Sequence, residues 1–455
     1  MTGTLMLDAI RDCLEGAVPS VMATCDNDGV PNVSLISHVH YVDRDHVALS
    51  YQFFNKTRAN ILSNGRASIA VIDPITMAEF QLDLLYEETQ TSGPMFESMK
   101  ARLAGIASHA GMQSVFRLLG SDVFKVLSIV PVHGPTLVSP LDPCSRLSSV
   151  RRTFSDLAGC RDLGELFDRT LLCLSRHFGI EQAMVLMLDE ETGRLYTVAT
   201  CGYPRSGIGS EVVMGEGIIG VAARERLPIR IGHMTSEYRY GACLREQALH
   251  FGMAWAEATV IPFPGLPAPE SQIALPIVLE GRTIGVLFAE SAEPVRFRYD
   301  DEDALALVAD RLALMIPQVQ HADAEVPESV ATPEASGECV VAVRHYEADD
   351  SIFLDHDYLI KGVAGAIFWK IIREFADSGR DEFTNRELRL DPQLRLPEHA
   401  ENLEARLVLL QRRLGERDGP IRIEKCGRGR FRLVVTCKPE LENMGAGAEQ
   451  AGALL

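Results

Sequence analysis

The 455-residue sequence predicts a multidomain α+β protein with three folded blocks, and three observations carry that prediction. The length exceeds what one core organises, at roughly 100 to 200 residues per domain. Two polar, proline-bearing stretches at residues 135–145 and 318–338 interrupt the apolar periodicity and read as linkers. The pattern also changes type between them. Residues 1–134 carry short alternating strands, residues 146–317 alternate helices with strand pairs, and residues 339–438 hold amphipathic helices followed by a hairpin. Residues 439–455, "ELENMGAGAEQAGALL" and its neighbour, read as a disordered tail.

Composition narrows the class. A hydrophobic fraction of 46% with 24% charged residues belongs to a soluble globular chain. No apolar run approaches the ~18 residues of a membrane span, and "MTGTLMLDAIRDCLEGAVPS" lacks a basic segment followed by an apolar one. A cytoplasmic protein without a membrane partner is expected. Ten cysteines are scattered without a Cys-x-x-Cys pair or zinc-type Cys/His spacing, so reduced thiols are expected and no metal site is assigned. Cys426, amid cations in "EKCGRGRF", is the one thiol flagged for redox sensing.

The first block opens with an amphipathic helix, "LMLDAIRDCLEG". Strands follow, joined by turns at "DNDG" and "VDRDH". In "SYQFFNKTRANILSNGRASIAVID" a strand runs into a helix whose mouth carries donors and cations, where free N–H groups and the helix dipole favour an anion. Asn55, Lys56, Thr57 and Arg58 are placed to converge on a phosphate. Many short antiparallel strands with few helices predict a small barrel.

The order "TCDNDGVPNVSLIS", "YVDRDHVALSY", "NKTRANILSNGRASIAVID" resembles the split β-barrels of the pyridoxamine 5'-phosphate oxidase-like family. That resemblance implies bound FMN, with Val33, Ser34 and Leu35 along the flavin and Lys56 at a phosphate-binding position. Thr57 stands where many relatives have a second basic residue, and Arg58 is the neighbouring substitute. Relatives also bind haem, the alternative cofactor here, and the family implies a homodimer.

The second block starts with the amphipathic helix "LGELFDRTLLCLSRHFGI", ending at Gly179, then a strand pair around "DEETG". "GEGIIGVAARERLPIRI" and "IALPIVLEGRTIGVLFAES" follow, then a closing helix. "MGEGIIG" lacks the βαβ context of a dinucleotide loop. The order resembles a GAF domain, an α/β sandwich with a small-molecule cup, for which Tyr238, Arg239, Tyr240 and Trp255 are candidate lining groups. A ligand-free dimerising GAF domain is the other reading.

In the third block an amphipathic helix containing Phe368 and Trp369 precedes Thr384-Asn385-Arg386-Glu387, a capping-box pattern. A leucine-rich helix and the hairpin "IRIEKCGRGRFRLVV" follow. Three helices and a hairpin resemble the winged-helix domain of bacterial response regulators, which implies DNA as a partner. The protein carries a net charge of -19, whereas residues 403–438 carry +6. Such segregation is the footprint of phosphate contact, with Arg406, Arg412, Arg413, Arg428, Arg430 and Arg432 as candidates. A module for protein contact or dimerisation is the other reading.

Two whole-protein readings stand. One is a sensor of redox state or of a small molecule that regulates transcription. The other is a flavin-dependent oxidoreductase with regulatory or oligomerising domains; no catalytic residue set is legible for it.

Overall fold

The computed structural model describes residues 5–15, 18–36, 39–51, 56–109, 118–138, 145–232, 261–321, 340–355, 357–394, 403–417, 419–427 and 429–444. After a 3-10 segment at Leu7–Glu15 come β1 (Ser20–Cys25), β2 (Pro31–Ile36), β3 (His40–Tyr41), β4 (His46–Tyr51), α1 (Lys56–Asn64), β5 (Arg66–Ile72), β6 (Glu79–Gln90), α2 (Pro94–His109) and β7 (Gly120–Val132). The strands form one sheet in the order β2-β1-β5-β6-β7-β4-β3, antiparallel throughout. Alternation explains its main core: in β1 Ser20, Met22 and Thr24 are buried while Val21, Ala23 and Cys25 are exposed, the period-two pattern of a strand with one buried face. Ile69, Val71, Leu82, Leu84 and Phe124 fill that core, and a smaller cluster joins Ala48 of β4 to Phe96 and Met99 of α2.

The middle unit contains α3 (Arg146–Leu157), α4 (Leu163–Phe178), β8 (Gln182–Asp189), β9 (Arg194–Cys201), β10 (Glu211–Val213), α5 (Gly217–Glu225), β11 (Ile229–Ile231), β12 (Ser271–Leu279), β13 (Arg282–Ser291) and α6 (Tyr299–His321). Asp162 caps α4 by accepting from the Glu165 amide at 3.0 Å, and Gly179 ends it in the left-handed conformation at φ 64°. The sheet order is β10-β9-β8-β13-β12-β11. Strand β8, "QAMVLMLD", is apolar on both faces because both are covered. Ala183, Val185 and Met187 belong to one core with α3, α4 and α6, whereas Met184, Leu186 and Leu188 pack with α5 and with Ala101 of α2. Helix α6 runs past Pro317 to His321, so the chain leaves this unit later than the linker at 318 predicts.

The last unit comprises β14 (Val340–Tyr346), β15 (Ser351–Leu354), β16 (Asp357–Ile360), α7 (Gly362–Ser378), β17 (Glu382–Thr384), α8 (Asn385–Arg389), α9 (Leu403–Gly415), β18 (Ile421–Gly427), β19 (Arg430–Val435) and β20 (Lys438–Met444). The capping box at Thr384 and Glu387 is present in both directions. A three-stranded sheet, β17-β19-β18, carries the hairpin, and a separate four-stranded sheet has the order β16-β15-β14-β20. Residues 439–444 are therefore not a disordered tail: β20 pairs in parallel with β14 from Val340 and Lys438 onward, and Leu441 packs against the core. Backbone pairing offsets the weak apolar pattern of "KPELENM".

Candidate functional site

The start of α1 and the edge strand β2 form the first candidate site. Thr57 is buried, and its Oγ1 accepts from Asn32 Nδ2 at 2.9 Å and shares a short hydrogen bond with Ser34 Oγ. Lys56 lies beside this cluster at the first position of the helix and is exposed. One flexible cation, two hydroxyls and an amide at a helix N-terminus suit a phosphate.

Arg58 does not supply the second cation expected of it. Its guanidinium is turned into the barrel, with Nε 3.2 Å from Asp122 Oδ2 and Nη2 3.3 Å from Thr89 Oγ1, and both partners of the ion pair are largely buried. Val33, Ser34 and Leu35 do not present their side chains to one surface either. Period-two geometry sends Ser34 toward Thr57, whereas Val33 and Leu35 are 65% and 75% exposed on the other face of β2. Asn32 is the residue that sequence reasoning missed; its two-residue spacing from Ser34 was the available signal. Asn55, and the GAF candidates Tyr238, Arg239, Tyr240 and Trp255, lie outside the described residues.

The C-terminal arginines divide into distinct environments. Arg406, on α9, is buried; it pairs with Asp189 of β8 at 2.6 Å and lies 3.8 Å from the Tyr196 ring centroid. Arg412 donates to the Val198 carbonyl at 2.6 Å, to the Gly164 carbonyl at 3.2 Å and to Asp168 at 2.7 Å. Arg413 donates to the Leu359 carbonyl and to Glu416. Arg432 pairs with Asp381 and Glu382. The expectation that Arg406, Arg412, Arg413 and Arg432 present a free cationic face is therefore corrected: α9 uses the first two to dock on the middle unit, because those guanidiniums complete otherwise open acceptors there.

Arg430 is exposed on β19 and lines a cleft of about 1410 Å³ with Arg161, Arg386, Arg389, Lys425 and Glu404. Glu404, in the first turn of α9, accepts from Asn385 and Arg389. Arg428 lies outside the described residues.

The thiols also differ from expectation. Burial and the acids Glu382, Glu424 and Asp381 hold the exposed Cys426 thiol above its ordinary range despite Arg432, which is the reverse of a redox-sensing thiolate. Cys437 is disulfide-bonded, so not every cysteine is a free thiol.

On the α3–α4 hairpin, Asp156, Cys173 and His177 place one donor atom each within 4.8 Å of one another. A hydrogen bond from His177 holds the Asp156 carboxyl below its usual range. The expectation that no cysteine shares ligand spacing with a histidine is corrected here: Cys173 and His177, four apart on α4, lie on one helix face.

Residues 6–124 match the family model described as pyridoxamine 5'-phosphate oxidase, and residues 160–316 match that of the GAF domain. The chain thus carries a pyridoxamine 5'-phosphate oxidase-like domain followed by a GAF domain. No curated protein matches the sequence. Similar solved structures include the GAF domain of an Acinetobacter phosphoenolpyruvate-protein phosphotransferase, 18% identical over 39% of this chain and 96% of that one, with a TM-score of 0.31. An FMN-binding protein of Syntrophomonas wolfei is 21% identical over 28% of this chain and 92% of its own, with a TM-score of 0.23. A free methionine-R-sulfoxide reductase of Neisseria meningitidis is 18% identical over 42% and 100%, with a TM-score of 0.32. Among the described residues no helix is long and apolar enough to cross a membrane.

Proposed function

We propose that this protein is a flavin-binding sensor in which the GAF domain links the barrel to a C-terminal output unit. The observation that carries the reading is the Asn32–Ser34–Thr57 cluster beside Lys56 at the mouth of α1, within a domain that matches the pyridoxamine 5'-phosphate oxidase model. These residues would hold the phosphate of FMN, which supplies reversible redox chemistry when bound. An absorption spectrum of the purified protein tests this. A flavin spectrum is expected, with markedly lower flavin retention in Lys56→Ala; equal retention in that variant removes the assignment. A haem spectrum would redirect the reading to the other cofactor.

The output reading is transcription regulation through a winged helix. Its support is the order α7, β17, α8, α9 and a terminal hairpin, together with the exposed Arg430 on that hairpin. With Arg406 and Arg412 engaged on the GAF domain, DNA contact by α9 requires release of that helix. Binding to DNA upstream of the coding sequence at two salt concentrations provides the test. Arg430→Ala should weaken binding uniformly and reduce the salt slope by about one; unchanged affinity and slope would remove the hairpin as a phosphate contact.

A further inference from the structure

The α3–α4 hairpin of the GAF domain carries a group of donors that the sensor reading does not use. Cys173 and His177 are four residues apart on α4 and so share a face, and antiparallel α3 brings Asp156 to the same place. Asp156 Oδ2 lies 2.9 Å from His177 Nε2 and 3.7 Å from Cys173 Sγ. Tetrahedral zinc, with bonds of about 2.0–2.3 Å, separates neighbouring ligand atoms by about 3.3–3.8 Å. Small side-chain rotations bring the three donors to that spacing.

A second observation points the same way. Thr153, fully buried one turn before Asp156 on α3, has a hydroxyl that makes no hydrogen bond of good geometry among the described residues and lies near the Cys173 sulfur. Burial and the neighbouring Asp156 carboxylate push the Cys173 thiol up to about 11, with the Thr153 hydroxyl opposing them only in part; outer groups so placed orient metal ligands. The site is graded in depth: Cys173 is 3% exposed and walled by core residues, and the Asp156 side chain is 49% exposed. The outer side is left for a fourth ligand from solvent. One sulfur, one nitrogen and one oxygen donor suit a borderline-soft ion rather than magnesium or calcium, which take oxygen sets.

We propose that Asp156, Cys173 and His177 bind a divalent zinc-class metal ion, with water in the fourth position, pinning α3 to α4. Binding displaces the Cys173 proton to solvent as the sulfur–metal bond forms.

The test uses the full chain, stripped with a chelator and titrated with Co²⁺ as the probe. One equivalent should bind with a thiolate-to-cobalt charge-transfer band in the near ultraviolet, and Zn²⁺ should displace it. Cys173→Ser should abolish the band, and His177→Gln should weaken binding by at least about tenfold. Asp156→Asn, at the surface, keeps the variant series informative if the buried cysteine change perturbs folding; it too should weaken binding by at least about tenfold. No band in the folded wild-type protein overturns the proposal. So does a band undiminished in Cys173→Ser, or Co²⁺ affinity unchanged in Asp156→Asn.

Discussion

The GAF domain meets its two neighbours in different ways. Toward the barrel, α2 packs on α5 with Ala101 inside a GAF core cluster, and a polar set surrounds that contact: Arg11 is sandwiched between Tyr41 and Tyr299 at 4.5 and 4.1 Å from their centroids, Arg298 pairs with Asp12, and Arg102 meets Glu302 at 3.1 Å. Glu302 also holds Arg230 at 2.6 Å. Toward the C-terminal unit, a continuous apolar cluster runs from Leu166, Tyr196 and Val198 through Val408 and Leu409 to Phe368. Polar junctions within a chain behave like transient interfaces, whereas a shared core unfolds as one. The apolar cluster shared by the GAF and C-terminal units is far larger than the one that α2 joins, so those two units are expected to unfold together and the barrel to be the more separable module.

The largest test strikes the rear junction. Arg406 and Asp189 are 9% and 17% exposed in their side chains, and deleting one member of a buried pair strands the other's charge. Arg406→Ala should destabilise the GAF and C-terminal transition by about 3–5 kcal/mol in urea unfolding while leaving the barrel transition in place. For scale, Arg194→Ala, removing a more exposed partner of Glu211, should cost less than about 1 kcal/mol. Equal costs for the two variants would mean that the Arg406–Asp189 pair at the rear junction behaves no differently from a surface pair within the GAF domain.

How much of this was legible beforehand follows from which forces act locally. The hairpin around "DEETG", the Gly179 stop and the Thr384–Glu387 box depend on neighbours in sequence, and the structure has all three. The docking of α9 was not legible, because Arg406 as a string character looks the same whether it faces phosphate or Asp189. The opposite sides taken by Ser34 and Leu35 follow from strand periodicity and were available. Strand β20 depends on β14, nearly a hundred residues earlier, and its own sequence carries too few apolar residues to announce it. The metal-ligand set was half legible: Cys173 and His177 share a helix face, but Asp156 arrives only through tertiary packing.

A second test uses pH to separate the modules. Glu290, on β13, is 2% exposed; its Oε1 accepts from the Leu266 amide at 2.8 Å and its Oε2 from Gln272 at 3.0 Å. Burial outweighs these bonds and raises its pKa above the ordinary carboxylate value. The folded state therefore keeps a proton that the unfolded state gives up. This contribution is full below the unfolded carboxylate pKa and is lost as pH climbs through the raised folded value. Urea midpoints across that window should fall for the GAF transition and not for the barrel, and Glu290→Gln should flatten the fall. An unaltered slope in the variant would assign the dependence elsewhere.

The smallest expected effect lies at the front junction. Arg11 contributes a planar cation between two rings and a pair with Asp303 at 3.4 Å, with its side chain 27% exposed. Stacking on aromatic faces at partly exposed sites contributes about 1 kcal/mol, and the ion pair adds little. Arg11→Ala should leave both unfolding transitions near their wild-type midpoints yet increase protease cleavage in the stretch joining barrel to GAF domain several-fold. Arg11→Lys retains the charge but not the flat guanidinium, so it should restore only a minor part of the protection. Full rescue by lysine would make the junction electrostatic rather than stacked. A drop in the GAF transition as large as that of Arg406→Ala would mean that the front junction, too, is part of the common core.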